Sequence, residues 1–114
     1  MAVQDDHMIR NIQDVGRLIA KLLLHEQQPN YTLPENEADY TEADKLFVTI
    51  MKLAEEGKIN EAENELYVGM VEDDVDYLEL ALTFYLYLND MDGDFLDNNG
   101  YSREEVLDGM KELA

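Results

Sequence analysis

The sequence predicts an all-α, single-domain bundle of about five helices with a repeat-like antiparallel helical hairpin at its middle. Three observations predict it. Apolar residues recur at spacings of three and four along most of the chain. Capping residues and glycines fall between those stretches. The 114 residues, spanning 1–114 with only two Pro and no Cys, leave room for one core.

The first helix is expected from about Asp6 to Glu26. Met8, Ile12, Val15, Ile19 and Leu22 stack on one face, and Ile9, Leu18 and Leu23 widen it. Asp5 and Asp6 stand where a cap or first-turn carboxylate helps. Gly16, mid-helix, costs about 1 kcal/mol in propensity relative to Ala and either admits another helix closely or serves nothing in packing. Residues 27–40 are irregular, because Pro29 and Pro34 resist helix and push their predecessors towards extended geometry. Tyr31, Leu33 and Tyr40 are apolar enough to pin this crossover to the core.

Thr41 and Asp44 have the spacing of an N-cap and its third helical residue, so the second helix starts there. Leu46, Phe47, Ile50, Leu53 and Ala54 form its apolar face, and Gly57 ends it. The third helix follows at once, with Asn60 as its expected cap and Ile59, Ala62, Leu66 and Met70 inside. So short a turn makes the two an antiparallel hairpin. The fourth helix is expected over Val75 to Asp90, capped by Asp74. Its middle, Leu80 to Leu88, is apolar nearly all round, which places it at the centre of the bundle. Ser102 and Glu105 form a capping box for the fifth helix, whose stripe is Val106, Met110 and Leu113.

Composition bounds the function. The chain carries 27 acidic side chains against 8 basic ones, a formal charge of −19. Phosphates would be repelled, so no direct nucleic-acid binding and no adhesion to anionic lipid is expected. Without Cys, a disulfide scaffold, a zinc-thiolate site and a cysteine nucleophile are excluded. Hydrophobic residues make up 46% of the chain, enough to fold despite the charge. No apolar run approaches the ~20 residues of a membrane span. Asp5, Asp6, Arg10, Arg17 and Lys21 break any leader-like pattern, so the chain reads as cytoplasmic.

The charge is uneven. Residues 1–25 balance Asp5, Asp6 and Asp14 against Arg10, Arg17 and Lys21. From Ile59 to Ser102 there are twelve carboxylates and no Lys or Arg. The molecule is therefore polarised, with an acidic half suited to a basic partner.

Catalytic and metal-ligating sets are thin. Asp90, Asp92 and Asp94 match positions 1, 3 and 5 of an EF-hand loop, and Asp97 lies close by. Phe95 then stands where Gly is needed, and Tyr101 where the bidentate Glu belongs. Starting instead at Asp94 puts Glu105 at position 12 but Leu96 at position 3 and Asn99 at position 6. These aspartates thus read as a turn-rich acidic connection, with no metal site and no cofactor expected. His7 and His25 lie at opposite ends of the first helix, about 27 Å apart, too far to share a metal. Ser102 is the only Ser and serves as a cap. No Gly-rich phosphate loop is present. Enzymatic activity is not expected.

The segment from Leu46 to Gly69 resembles one tetratricopeptide-type repeat. With Gly57 as the turn glycine, Leu46 and Leu53 fall on large apolar positions, Ala62 on the small one and Leu66 on the next large one. It departs from the pattern at Ile50, where the repeat has a small residue, and at Asp74, near the closing Pro. The chain as a whole resembles a family of small, acidic, uncharacterised bacterial proteins. That resemblance rests on the run from Met8 to Arg17, on Leu18 to Leu22, on the turn from Gly57 to Glu63 and on Tyr77 to Ala81. It implies a helical fold and a bacterial cytoplasm, and assigns no functional residue.

The expected function is a non-catalytic protein-interaction or regulatory module that binds a basic partner protein. Glu61, Glu65, Glu72, Asp73, Asp76, Tyr67 and Tyr87 are the candidate partner-binding residues, tyrosine offering contact area with a polar tip. Leu18, Leu23 and Leu24 exceed what one packing contact needs, and make the first helix a candidate homodimer face. The alternatives are a nucleic-acid mimic and a weak calcium-binding structural protein.

Overall fold

The computed structural model describes residues 3–71 and 74–113. The first helix, α1, spans Val3–Ile19. It starts about three residues earlier than the sequence suggests, so Asp5 and Asp6 lie within its first turns. Ile12 and Ile19 are buried, and Met8 and Val15 pack beside them. Gly16 faces Leu86, as a Cβ there would stand 3.2 Å from the leucine Cδ2.

The same helix continues as a π-helical turn, Ala20–Leu24, and stops at His25, whose φ of 57° is left-handed. An i→i+5 turn uses more residues per turn, so each residue after Ala20 rotates less than in an α-helix. The apolar stripe is thereby re-aimed. Ala20 is buried and Leu24 packs against the core, whereas Leu22, expected inside, is 63% exposed.

The crossover to α2 is tied down along its length. The Asn30 amide donates to Glu79 Oε2 at 3.1 Å and the Tyr31 amide to Thr83 Oγ1 at 3.1 Å. The Tyr31 ring lies 4.8 Å from that of Phe47, and Leu33 packs against the core. Asn36 caps a single 3-10 turn, Glu37–Asp39.

Helix α2, Glu42–Glu55, begins with a reciprocal Thr41–Asp44 capping box, Asp serving where Glu or Gln is usual. It and α3, Ile59–Gly69, form the most extensive helix pair of the fold. Gly57 turns the chain between them with a φ of 84°. Asn60 is not the cap of α3. It lies inside the helix, and its amide donates to the Gly100 carbonyl at 3.3 Å. Lys58 stands at the cap position without a side-chain bond.

Helix α4, Val75–Asn89, is capped by Asp74, which accepts from the Asp76 amide at 2.9 Å. Leu80, Ala81, Leu82, Phe84, Tyr85 and Leu88 are fully buried, on all sides of the helix. It is the centre of the bundle, packed against α1 and α2. Its end is fixed by buried Asn89, whose side-chain amide donates to the Ile9 carbonyl at 3.0 Å.

An additional short helix, α5, spans Gly93–Asn98, within the segment expected to be an irregular connection. Asp92 caps it and Leu96 is buried beneath it. The described residues therefore hold six helices, one more than expected. The last, α6, spans Arg103–Glu112 behind the Ser102–Glu105 capping box. It packs on α1 and α4 through Val106 and Met110, and Arg103 donates to the Met91 carbonyl at 2.6 Å.

Candidate functional site

A groove of about 500 Å³ runs between α3 and α6. Glu63 and Tyr67 line it from α3, and Glu105, Asp108 and Glu112 from α6. The three α6 residues recur at spacings of three and four, which puts them on one face of the helix. Gly109 forms the floor. No Lys, Arg or His is among the described residues that line the groove. Four carboxylates thus share one shallow, open surface, which carries a negative field.

The floor explains how α4 reaches this surface. A Cβ at Gly109 would lie 2.5 Å from Cζ of Tyr85 and 2.6 Å from its hydroxyl oxygen. Only a glycine lets the buried Tyr85 ring pass against the α6 backbone. Its hydroxyl, still buried, lies beneath the groove and donates to Glu63 Oε2 at 2.6 Å. The Tyr101 hydroxyl donates to the same oxygen at 3.1 Å, and the Tyr67 hydroxyl stands 3.4 Å from that of Tyr85. Burial, with the Glu63 carboxylate beside them, pushes the Tyr85 and Tyr101 phenols far above their ordinary range. Both remain donors at neutral pH, so neither acts as a base there. They orient Glu63 as an acceptor at the groove wall.

Tyr67 is the sequence-identified candidate that belongs to this groove, and the residue is 49% exposed. Glu61 and Glu65 are exposed elsewhere on α3, and Asp76 is exposed in the first turn of α4. Tyr87 is half-buried, its phenol raised by burial and by Glu55 nearby. Glu72 and Asp73 lie outside the described residues. Glu63, Tyr85, Tyr101, Glu105, Asp108, Gly109 and Glu112 are the residues that sequence reading missed. The spacing of Glu105, Asp108 and Glu112 was a visible signal for the α6 wall.

The aspartates of the EF-hand-like run have local duties. Asp90 ends α4, and Asp92 accepts from the Asp94 amide at 2.8 Å as the cap of α5. Asp94 lies in the first turn of that helix, and Asp97 is exposed on it. No group of three or more acidic or His side chains able to hold a metal occurs among the described residues.

Fold and groove together define a six-helix all-α protein with a tyrosine-backed acidic groove. The chain belongs to a family of unknown function, DUF6483, whose model matches residues 2–114. No curated protein and no solved structure matches it. No described helix is long and apolar enough to cross a membrane.

Proposed function

We propose that the protein is a non-catalytic interaction module that receives a basic segment of a partner protein in the α3–α6 groove. The observation that supports this is the lining itself: four carboxylates, a half-exposed Tyr67 and no cation. A Lys or Arg side chain entering it meets charge from both walls and an aromatic face. The tetratricopeptide-like spacing of α2 and α3 and the acidic stretch from Ile59 to Ser102 favour the same reading. The setting is the cytoplasm of a bacterium.

Titration of a fluorescent Arg/Lys-rich peptide tests it. Affinity should fall as salt rises. Reversing Asp108 and Glu112 to Lys should weaken binding about tenfold or more, the scale of a tenfold change per 1.4 kcal/mol. Equal binding of a neutral peptide, or no effect of the reversals, defeats the proposal. Competition by duplex DNA for a captured partner would turn the reading to nucleic-acid mimicry, in which Asp and Glu stand in for phosphates. A second reading, self-association through α1, is favoured by Leu18, Leu22 and Leu23, which are 55%, 63% and 46% exposed.

A further inference from the structure

The α1 surface dictates how two copies would meet, given self-association through that helix as just proposed. Leu18 stands between Asp14, four residues before it, and Lys21, three residues after it. All three are exposed on successive turns. Arg17, at 3.2 Å, steadies the Asp14 carboxylate. Leu22, turned outward by the π-helical turn, extends the apolar centre.

This arrangement is self-complementary under reversal. At an α-helical rise of about 1.5 Å per residue and a smaller one in the π-helical turn, Asp14 lies about 6 Å to one side of Leu18 and Lys21 about 4 Å to the other. Two such helices crossing antiparallel at Leu18 therefore bring Asp14 to within about 2 Å of the axial level of Lys21 of the partner subunit. Two-fold symmetry makes that pair twice. A parallel crossing would instead set like charges against like. The charge of the remaining chain selects this face over others. Residues 1–25 balance three acids with three bases in a chain of net charge −19. The exposed Val68, Val71 and Val75 stand close in sequence to Glu65, Asp74 and Asp76 in the base-free half, where identical copies repel.

We propose that α1 docks antiparallel on α1 of a second copy, Leu18 against Leu18, with Asp14 facing Lys21 of the partner subunit.

Sedimentation equilibrium of the full chain over the micromolar range tests this. A monomer–dimer equilibrium is expected, and Leu18→Glu should abolish it with the helical circular dichroism unchanged and with melting unchanged at concentrations where the wild type is monomeric, since Leu18 is exposed. Asp14→Lys and Lys21→Asp should each weaken the dimer about tenfold, and the double exchange should restore it. A monomer at every concentration overturns self-association and the crossing geometry together. A dimer untouched by Leu18→Glu overturns the surface. A dimer in which the two exchanges weaken additively overturns the antiparallel register and leaves self-association standing. The groove is not involved, so Leu18→Glu should bind the basic peptide as the wild type does.

Discussion

The Tyr31 hydroxyl donates to Asp44 Oδ1 at 2.6 Å, across the joint between the long crossover and α2. The second carboxylate oxygen of Asp44 accepts from the Thr41 amide at 2.9 Å. One buried side chain thus closes the capping box and anchors the crossover. The Tyr31 bond holds the Asp44 carboxyl below its usual range, and burial with the adjacent Asp44 charge raises the Tyr31 phenol.

Tyr31→Phe should lower stability by about 1.5–2 kcal/mol, the lower end of the range for one hydrogen bond to a charged acceptor. Asp44→Ala should cost more, about 2–3 kcal/mol, because it removes the cap as well. Urea midpoints at unchanged m-value check both. The sign of the acid response follows from the depressed Asp44 value. Its contribution is full above the usual 3.8 and is lost as pH falls through the lower folded value. With Tyr31→Phe that loss should begin at a higher pH.

Gly109→Ala sets two effects against each other. Alanine gains about 1 kcal/mol in helix propensity. Its Cβ also arrives 2.5 Å from Cζ of Tyr85, a fully buried ring bonded through its hydroxyl to Glu63. The ring cannot yield without breaking that bond, and overpacking of this kind costs about 1–3 kcal/mol. Net destabilisation is therefore expected, together with weaker peptide binding. In a Tyr85→Leu background the obstacle is gone, and Gly109→Ala should then be neutral or stabilising. A double-mutant cycle on thermal midpoints reads the coupling, and additive effects would contradict this geometry.

Gly57→Ala should be costly for two reasons that act together. A φ of 84° strains any residue with a Cβ, and the new atom would lie 2.5 Å from Asn99 Oδ1. The Asn99 side chain is committed, donating to the Phe95 carbonyl at 2.7 Å. A loss of about 1–3 kcal/mol is expected from the backbone alone. Asn99→Ala beside it should recover the steric part only, so the pair would remain less stable than Asn99→Ala.

The helices of this fold were legible where one local signal sufficed. The Ser102–Glu105 and Thr41–Asp44 boxes, the Asp74 cap and the all-round apolar run of α4 each lie within a few residues and appear where expected. The π-helical turn was not legible. Ala20 to Leu24 fits an α-helical stripe equally well, and its i→i+5 geometry accompanies burial of Ala20 and packing of Leu24 against the core. Helix α5 was hidden because Asp92 and Asp94 suit a turn, a metal loop and a helix start alike. Half of the groove was visible as a periodic row on α6. Its union with Glu63 and Tyr67 of α3, through a tyrosine passing Gly109, is a tertiary fact that no spacing reveals.

A last prediction concerns Glu79 and Glu26. Glu79 is half-buried on α4, accepts from the Asn30 amide, and lies within hydrogen-bonding reach of Glu26 beyond the π-helical turn. Two carboxyl groups can share a hydrogen bond only when one keeps its proton. Burial, with Glu26 beside it, accordingly raises the Glu79 carboxyl above its usual 4.5. The folded state therefore holds this proton more tightly than the unfolded chain. The stabilisation is full below pH 4.5 and is lost as pH rises through the elevated folded value. Glu79→Gln keeps an acceptor for Asn30 and a permanent donor for Glu26 without the charge. It should match the wild type near pH 4 and exceed it at pH 7 by about 0.5–1 kcal/mol, the scale of a partly screened charge pair. Glu26→Gln should gain similarly, and the two changes together should gain less than their sum. Chemical unfolding at both pH values decides it: an equal difference between variant and wild type at pH 4 and pH 7 would mean that no proton is shared.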